Sequence, residues 1–207
     1  MLLIWNGLPF LAPVLMANGW SRAGRAIYLL YATQCHQLPQ RSFFLFGPQS
    51  MYTLGEVQTL WKDTINPLTL RGFIGSDTLG WKVAWSDRMV YMYLSLTVFT
   101  ILYALLYRRW PAFSVWTLLL LLLPLALDGT THLISDTLYG IGAGFRDHNS
   151  WLASLTGNLL PISFYSGDQF GSFNSWMRLL SGVTFAIGLV GFVLPRVDPG
   201  RTKESDS

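Results

Sequence analysis

The 207 residues are 51% hydrophobic and only 12% charged, roughly half the ~25% charge of an ordinary soluble domain, which excludes a free water-facing globule. A formal net charge of +3 rests on 14 basic residues. Several of these flank apolar runs, where positive charge sets membrane orientation, and no nucleic acid partner is expected. Cys35 is the single cysteine, so an intrachain disulfide and a thiolate zinc cage are both excluded.

The chain starts with Met1-Leu2-Leu3-Ile4-Trp5, apolar but without the positive start of a secretory signal. Nothing near Ala17-Asn18-Gly19 has the form of a cleavage site, so this segment is expected to be retained. Residues 2–20 read as a first crossing, Arg22 and Arg25 as a basic turn, and residues 23–38 as a return. Residues 89–107 are uncharged throughout and long enough for a hydrocarbon core of ~30 Å. They end at Arg108-Arg109, and residues 110–128, with Leu118 to Leu123 at their centre, complete a tight helical hairpin. A last span covers residues 179–195. Beyond it, residues 196–207 carry Arg196, Arg201 and Lys203 in a polar tail too short to fold, read as cytoplasmic and disordered.

The expected fold is therefore an all-α polytopic transmembrane bundle of about five spans, a single membrane domain over residues 1–195. Alternating crossings place the three basic groups on one side, which puts the amino end outside and the carboxyl end in the cytoplasm. Trp20, Trp85, Trp110 and Trp176 fall near span ends, where indole rings favour the interface. The outer connections, residues 39–88 and 129–178, are rich in glycine and aromatics and do not alternate as strands do. They are expected to form a cap of loops and short helices. No internal repeat is visible, which weakens a transporter built of inverted halves.

Most of the polar chemistry lies in that cap. In Asp128-Gly-Thr-Thr-His132-Leu-Ile-Ser135-Asp136, a continuing helix places Asp128, His132 and Asp136 on one face at one-turn spacing. Carboxylates and an imidazole so stacked can chelate a divalent metal such as zinc, or act as an acid–base pair, with Asp128 and Asp136 as catalytic candidates. The plainer reading is a polar stripe packed against the outer loops, with aspartate orienting histidine. Cys35-His36-Gln37, at the outer end of the early span, and His148, in Phe145-Arg146-Asp147-His148-Asn149, fall on the same side of the membrane. His132, Asp128, His36, His148 and Cys35 are thus the candidate metal ligands. Ser166-Gly167-Asp168, Gly171 to Trp176 and Trp85-Ser86-Asp87-Arg88 read as turn and helix-start chemistry. Phosphate-cradling loops, a dinucleotide fingerprint and a nucleophile elbow are not found.

Cys35-His36-Gln37 followed by Arg41-Ser42-Phe43-Phe44, with Pro124, Asp128-Gly129 and His132, and then Asn174, Arg178 and Gly182, resembles the bacterial domain-of-unknown-function family 2085. The resemblance runs in short ordered blocks from about Tyr31 to Gly191. It implies a multi-pass membrane protein and supplies no reaction. Relatives follow the Cys-His-Gln block with Cys-x-Arg-Cys, whereas this chain reads Met51-Tyr52-Thr53-Leu54-Gly55-Glu56, so the resemblance lends no metal role to Cys35 and His36.

Three readings of function follow. The first is a non-catalytic subunit or assembly component of a membrane complex, in contact with the lipid bilayer and other membrane subunits. In the second, a metal-dependent membrane hydrolase, His132 and Asp128 with His36 or His148 hold the metal and Asp136 activates water. A small-solute or ion carrier is the third, with Asp128 as intramembrane carboxylate and Arg41 or Arg178 as counter-charge.

Overall fold

The computed structural model describes residues 2–106 and 110–198. The Arg108-Arg109 turn, Arg201, Lys203 and nearly all of the polar tail expected to be disordered lie outside the described residues. In chain order the first half comprises α1 (Leu2–Ala17), α2 (Ser21–Tyr31), a 3-10 turn (Pro39–Arg41), β1 (Ser42–Leu45), α3 (Leu54–Leu60), α4 (Pro67–Leu70), β2 (Gly75–Ser76) and β3 (Gly80–Ser86). There follow α5 (Asp87–Leu106), α6 (Val115–Tyr139), α7 (Phe145–His148), α8 (Ser150–Leu155), α9 (Ile162–Tyr165) and α10 (Phe173–Val197).

Among the described residues, α5, α6 and α10 are long and apolar enough to cross a bilayer. α10 is the most enclosed of the three and packs on both others. Small residues make the approach close: a Cβ on Gly182 would meet the Met92 backbone nitrogen at 3.0 Å, and one on Gly188 would meet Leu121 Cβ at 3.0 Å. Leu120, Leu127 and Leu133 of α6 remain exposed, the surface left for lipid.

Of the five expected spans, the two at the amino end are shorter than the other three. α2 has 11 residues, a rise of about 16 Å against the ~30 Å of a hydrocarbon core. Its exposed Arg22 and Arg25 leave it apolar on one side only. α1, with 16 residues and Pro9 and Pro13 inside it, is apolar but shorter than the spanning helices. Both pack on β3, in a core of Ala12, Met16, Tyr28, Tyr31, Val83, Ala84 and Trp85. Residues 2–20 and 23–38 thus form a hairpin docked to the cap and to α5, with Asn6 Nδ2 donating to Tyr93 O at 3.0 Å.

The purely helical expectation is corrected. β1, β3 and β2 form a small antiparallel sheet in that order, with Ser42 opposite Ser86 and Gly75 opposite Trp81. From Lys82 to Trp85 every residue of β3 is buried, so the strand shows no alternation to read. A second apolar core, including Leu38, Phe44, Tyr52, Val57 and Leu70, fills the cap beside it. The sheet runs straight into α5, which fixes Asp87 and Arg88 at the junction of cap and span.

Candidate functional site

Ser114 caps α6, accepting from Thr117 N at 3.1 Å, and the helix runs unbroken past the apolar stretch to Tyr139. Asp128, His132 and Ser135 are consequently buried on one face, and Asp136 is half-buried beside them. Ionisable groups enclosed at this depth need partners. Four arginines from different elements provide them.

Arg41, on the 3-10 turn, holds Asp136 with two parallel bonds, Nη1 to Oδ2 at 2.6 Å and Nη2 to Oδ1 at 3.0 Å. Its Nε donates to Asp168 Oδ2 at 2.6 Å. Arg88 and Arg146 share Asp128, reaching Oδ2 at 2.8 Å and Oδ1 at 2.6 Å. Arg178 of α10 is 1% exposed; Nη1 donates to Asp87 Oδ2 at 2.9 Å, and Nη2 donates to Asp168 Oδ1. Asn149 and Asn174 tie the loop together by donating to Arg146 O at 2.8 and 2.6 Å.

Arg178 Nη2 also lies 3.1 Å from His132 Nε2. A guanidinium only donates, so Nε2 accepts and Nδ1 carries the ring proton, which it gives to Asp128 O at 3.1 Å. The Nε2 to Asp168 Oδ1 separation of 3.5 Å is too long to compete. A metal ion binding Nε2 would have to displace the guanidinium from it. The carboxylates respond to the same charges. Burial alone would raise the Asp168 carboxyl, but Arg178 and Arg41 outweigh it and hold the group well below the usual range. Burial likewise opposes the charge on Arg41, and Asp168 and Asp136 reverse this, raising its pKa.

The predicted ligands separate. His132 and Asp128 adjoin, as the one-turn spacing requires, while Cys35 and His36 lie on the loop after α2. Cys35 Sγ is buried and accepts from Gln37 N at 3.4 Å and Ser86 N at 3.3 Å. His36 and His148 are both exposed, and they line different cavities. Among the described residues no three His, Cys, Asp or Glu side chains form a group that could hold a metal ion. Asp87, Arg88 and Asp168, read from sequence as caps and turns, are members of the network. No local pattern marks them, since apart from Arg178, ten positions after Asp168, their partners lie 40 to 127 positions away.

A cavity of about 440 Å³ opens beside the network, between the loop after α2, the start of α5 and the C-terminal half of α6. Cys35, His36, Arg41, Asp87, Arg88, His132, Asp136 and Arg178 line it together with Leu38, Ile65, Met89, Leu133 and Ile141. Arg41 and Arg178 are committed to carboxylates. Arg88 spends only Nη2 on Asp128, and among the described residues its Nε and Nη1 have no partner. Nη1 lies over Gly129, where a Cβ would come within 3.0 Å of it.

A family model described as "Predicted membrane protein (DUF2085)" matches residues 77–192, which contain most of the network. The uncharacterized protein MJ1492 of Methanocaldococcus jannaschii is 28% identical over 166 residues, covering 75% of this chain and 79% of its own length. No solved structure matches.

Proposed function

We propose that this chain, which belongs to the DUF2085 family of predicted membrane proteins, is a carrier-type binding protein for a small amphipathic anion. The observation that carries the reading is the pair of unclaimed Arg88 nitrogens at the wall of a cavity that also presents Leu38, Ile65, Met89, Leu133 and Ile141. A guanidinium with two unclaimed nitrogens suits a carboxylate or phosphate ester through charge-assisted bonds, and Leu38, Met89 and Leu133 suit an apolar body. The neighbouring carboxylates do not repel such a head group, because each already faces an arginine. His132 and Asp128 then act as the frame that holds Arg88 and Arg178 rather than as reacting groups. The proposal includes one orientation, with cap and cavity outside and Arg196 at the cytoplasmic end of α10.

Titration calorimetry on amphipol-held protein with octanoate and with octanol tests the reading. Octanoate should bind saturably, octanol about tenfold or more weakly, and Arg88→Gln should remove the difference. Equal binding of acid and alcohol by the unsubstituted protein would overturn it.

A further inference from the structure

A second cavity, of about 340 Å³, is built from the 3-10 turn, the start of α3 and the loops around α7 and α9, with Ile141 lining both cavities. Three side chains that line it are short of partners. Gln40 is only 2% exposed, yet neither its Nε2 nor its Oε1 has a hydrogen-bond partner. A buried amide left wholly unpaired is strongly disfavoured, and native interiors rarely keep one. Gln169 Oε1, which shares the cavity, is buried and unpaired as well. Asp147, 7% exposed, accepts from Gly144 N through Oδ2 at 2.9 Å, and among the described residues its Oδ1 has no partner.

The ion-pair pattern points the same way. Arg41, Arg88, Arg146 and Arg178 form ion pairs with Asp87, Asp128, Asp136 and Asp168, and Asp147, buried among them, takes part in none. Burial and the nearby Asp168 push its pKa up, as befits a carboxylate lacking a counter-charge.

We infer that this second cavity binds a small primary ammonium compound bearing a neighbouring oxygen acceptor. The ammonium donates to Asp147 Oδ1 and to the amide oxygens of Gln40 and Gln169, and the ligand oxygen accepts from Gln40 Nε2. A bare inorganic cation would satisfy the oxygens and leave the Gln40 donor unpaired. The cavity is also of the size that holds small organic molecules. This site is separate from the anion cavity and does not depend on it.

The test is calorimetry and thermal shift on the full chain in amphipol, with 2-aminoethanol as probe and ethylene glycol, ethylamine and potassium chloride as comparators. 2-Aminoethanol should bind saturably and raise the melting midpoint, ethylamine should bind more weakly, and ethylene glycol should not bind. Asp147→Asn, which preserves an acceptor for Gly144 N, should weaken the amine by about tenfold or more. Gln40→Leu should raise the midpoint of the ligand-free protein, by removing an unpaired amide, and abolish the discrimination between 2-aminoethanol and ethylamine. Three outcomes overturn the inference: no saturable amine binding, amine binding unchanged in Asp147→Asn, or a potassium shift equal to that of the amine and lost with Asp147, which would make it an inorganic cation site.

Discussion

Asp168 accepts from Arg41 and Arg178 at once and is almost without solvent contact. Replacing it by asparagine leaves two buried guanidiniums short of a charge, and breaking a buried pair in this way costs about 3–5 kcal/mol. Asp168→Asn should therefore lower the melting midpoint sharply, whereas Asp63→Asn at an exposed position should change stability by less than about 0.5 kcal/mol. Lys82 presents the converse case. It is fully buried in β3, with Nζ donating to Gln37 O at 2.6 Å and Arg71 O at 3.0 Å, and burial pushes its pKa down to about 7. The Arg71 charge adds to the depression and Cys35 opposes it. An unfolded lysine titrates near ~10.4, so between pH 7 and about 10 the unfolded chain binds the extra proton and stability must rise with pH. Melting midpoints of the wild type should climb across that window, and those of Lys82→Met should lack this increment. Little at this scale was legible beforehand. Asp128, His132 and Asp136 were visible because they repeat at one helical turn, but an isolated Asp168 or Arg88 carries no sign of a partner far along the chain.

At the scale of elements, α10 is held between α5 and α6 by residues without bulk. Gly188 sits against Leu121, and a Cβ on Gly191 would approach Phe113 Cδ2 to 2.5 Å. Gly188→Leu should separate α10 from α6 and lower the melting midpoint, by about 1–3 kcal/mol of overpacking, while Gly7→Leu, where a Cβ meets nothing within 4 Å, should be nearly silent in packing. Long uncharged runs made these helices readable within a few residues: 89–107 became α5 and 179–195 the central part of α10. β3 was not readable, because a strand buried on both faces loses the alternation that identifies strands. α2, expected as a crossing, is a short helix with one apolar face and is shorter than the three candidate spans.

For the whole molecule, three apolar helices carry a cap in which four arginines and four aspartates pair across separate elements. That pairing joins the cap-facing ends of α5, α6 and α10 to the loops and leaves Arg88 partly unclaimed at a cavity wall. Membrane residence was legible from composition alone, whereas the cavity was not, because Cys35, Arg88 and Leu133 meet only once the chain is folded. The most direct measurement is a crystal structure with 8-bromooctanoate, using the anomalous signal of bromine. The account predicts bromine among Leu38, Met89 and Leu133 with the carboxylate within hydrogen-bond distance of Arg88. Bromine confined to the lipid belt around α6, or a metal ion on His132 with Arg178 turned away, would contradict it.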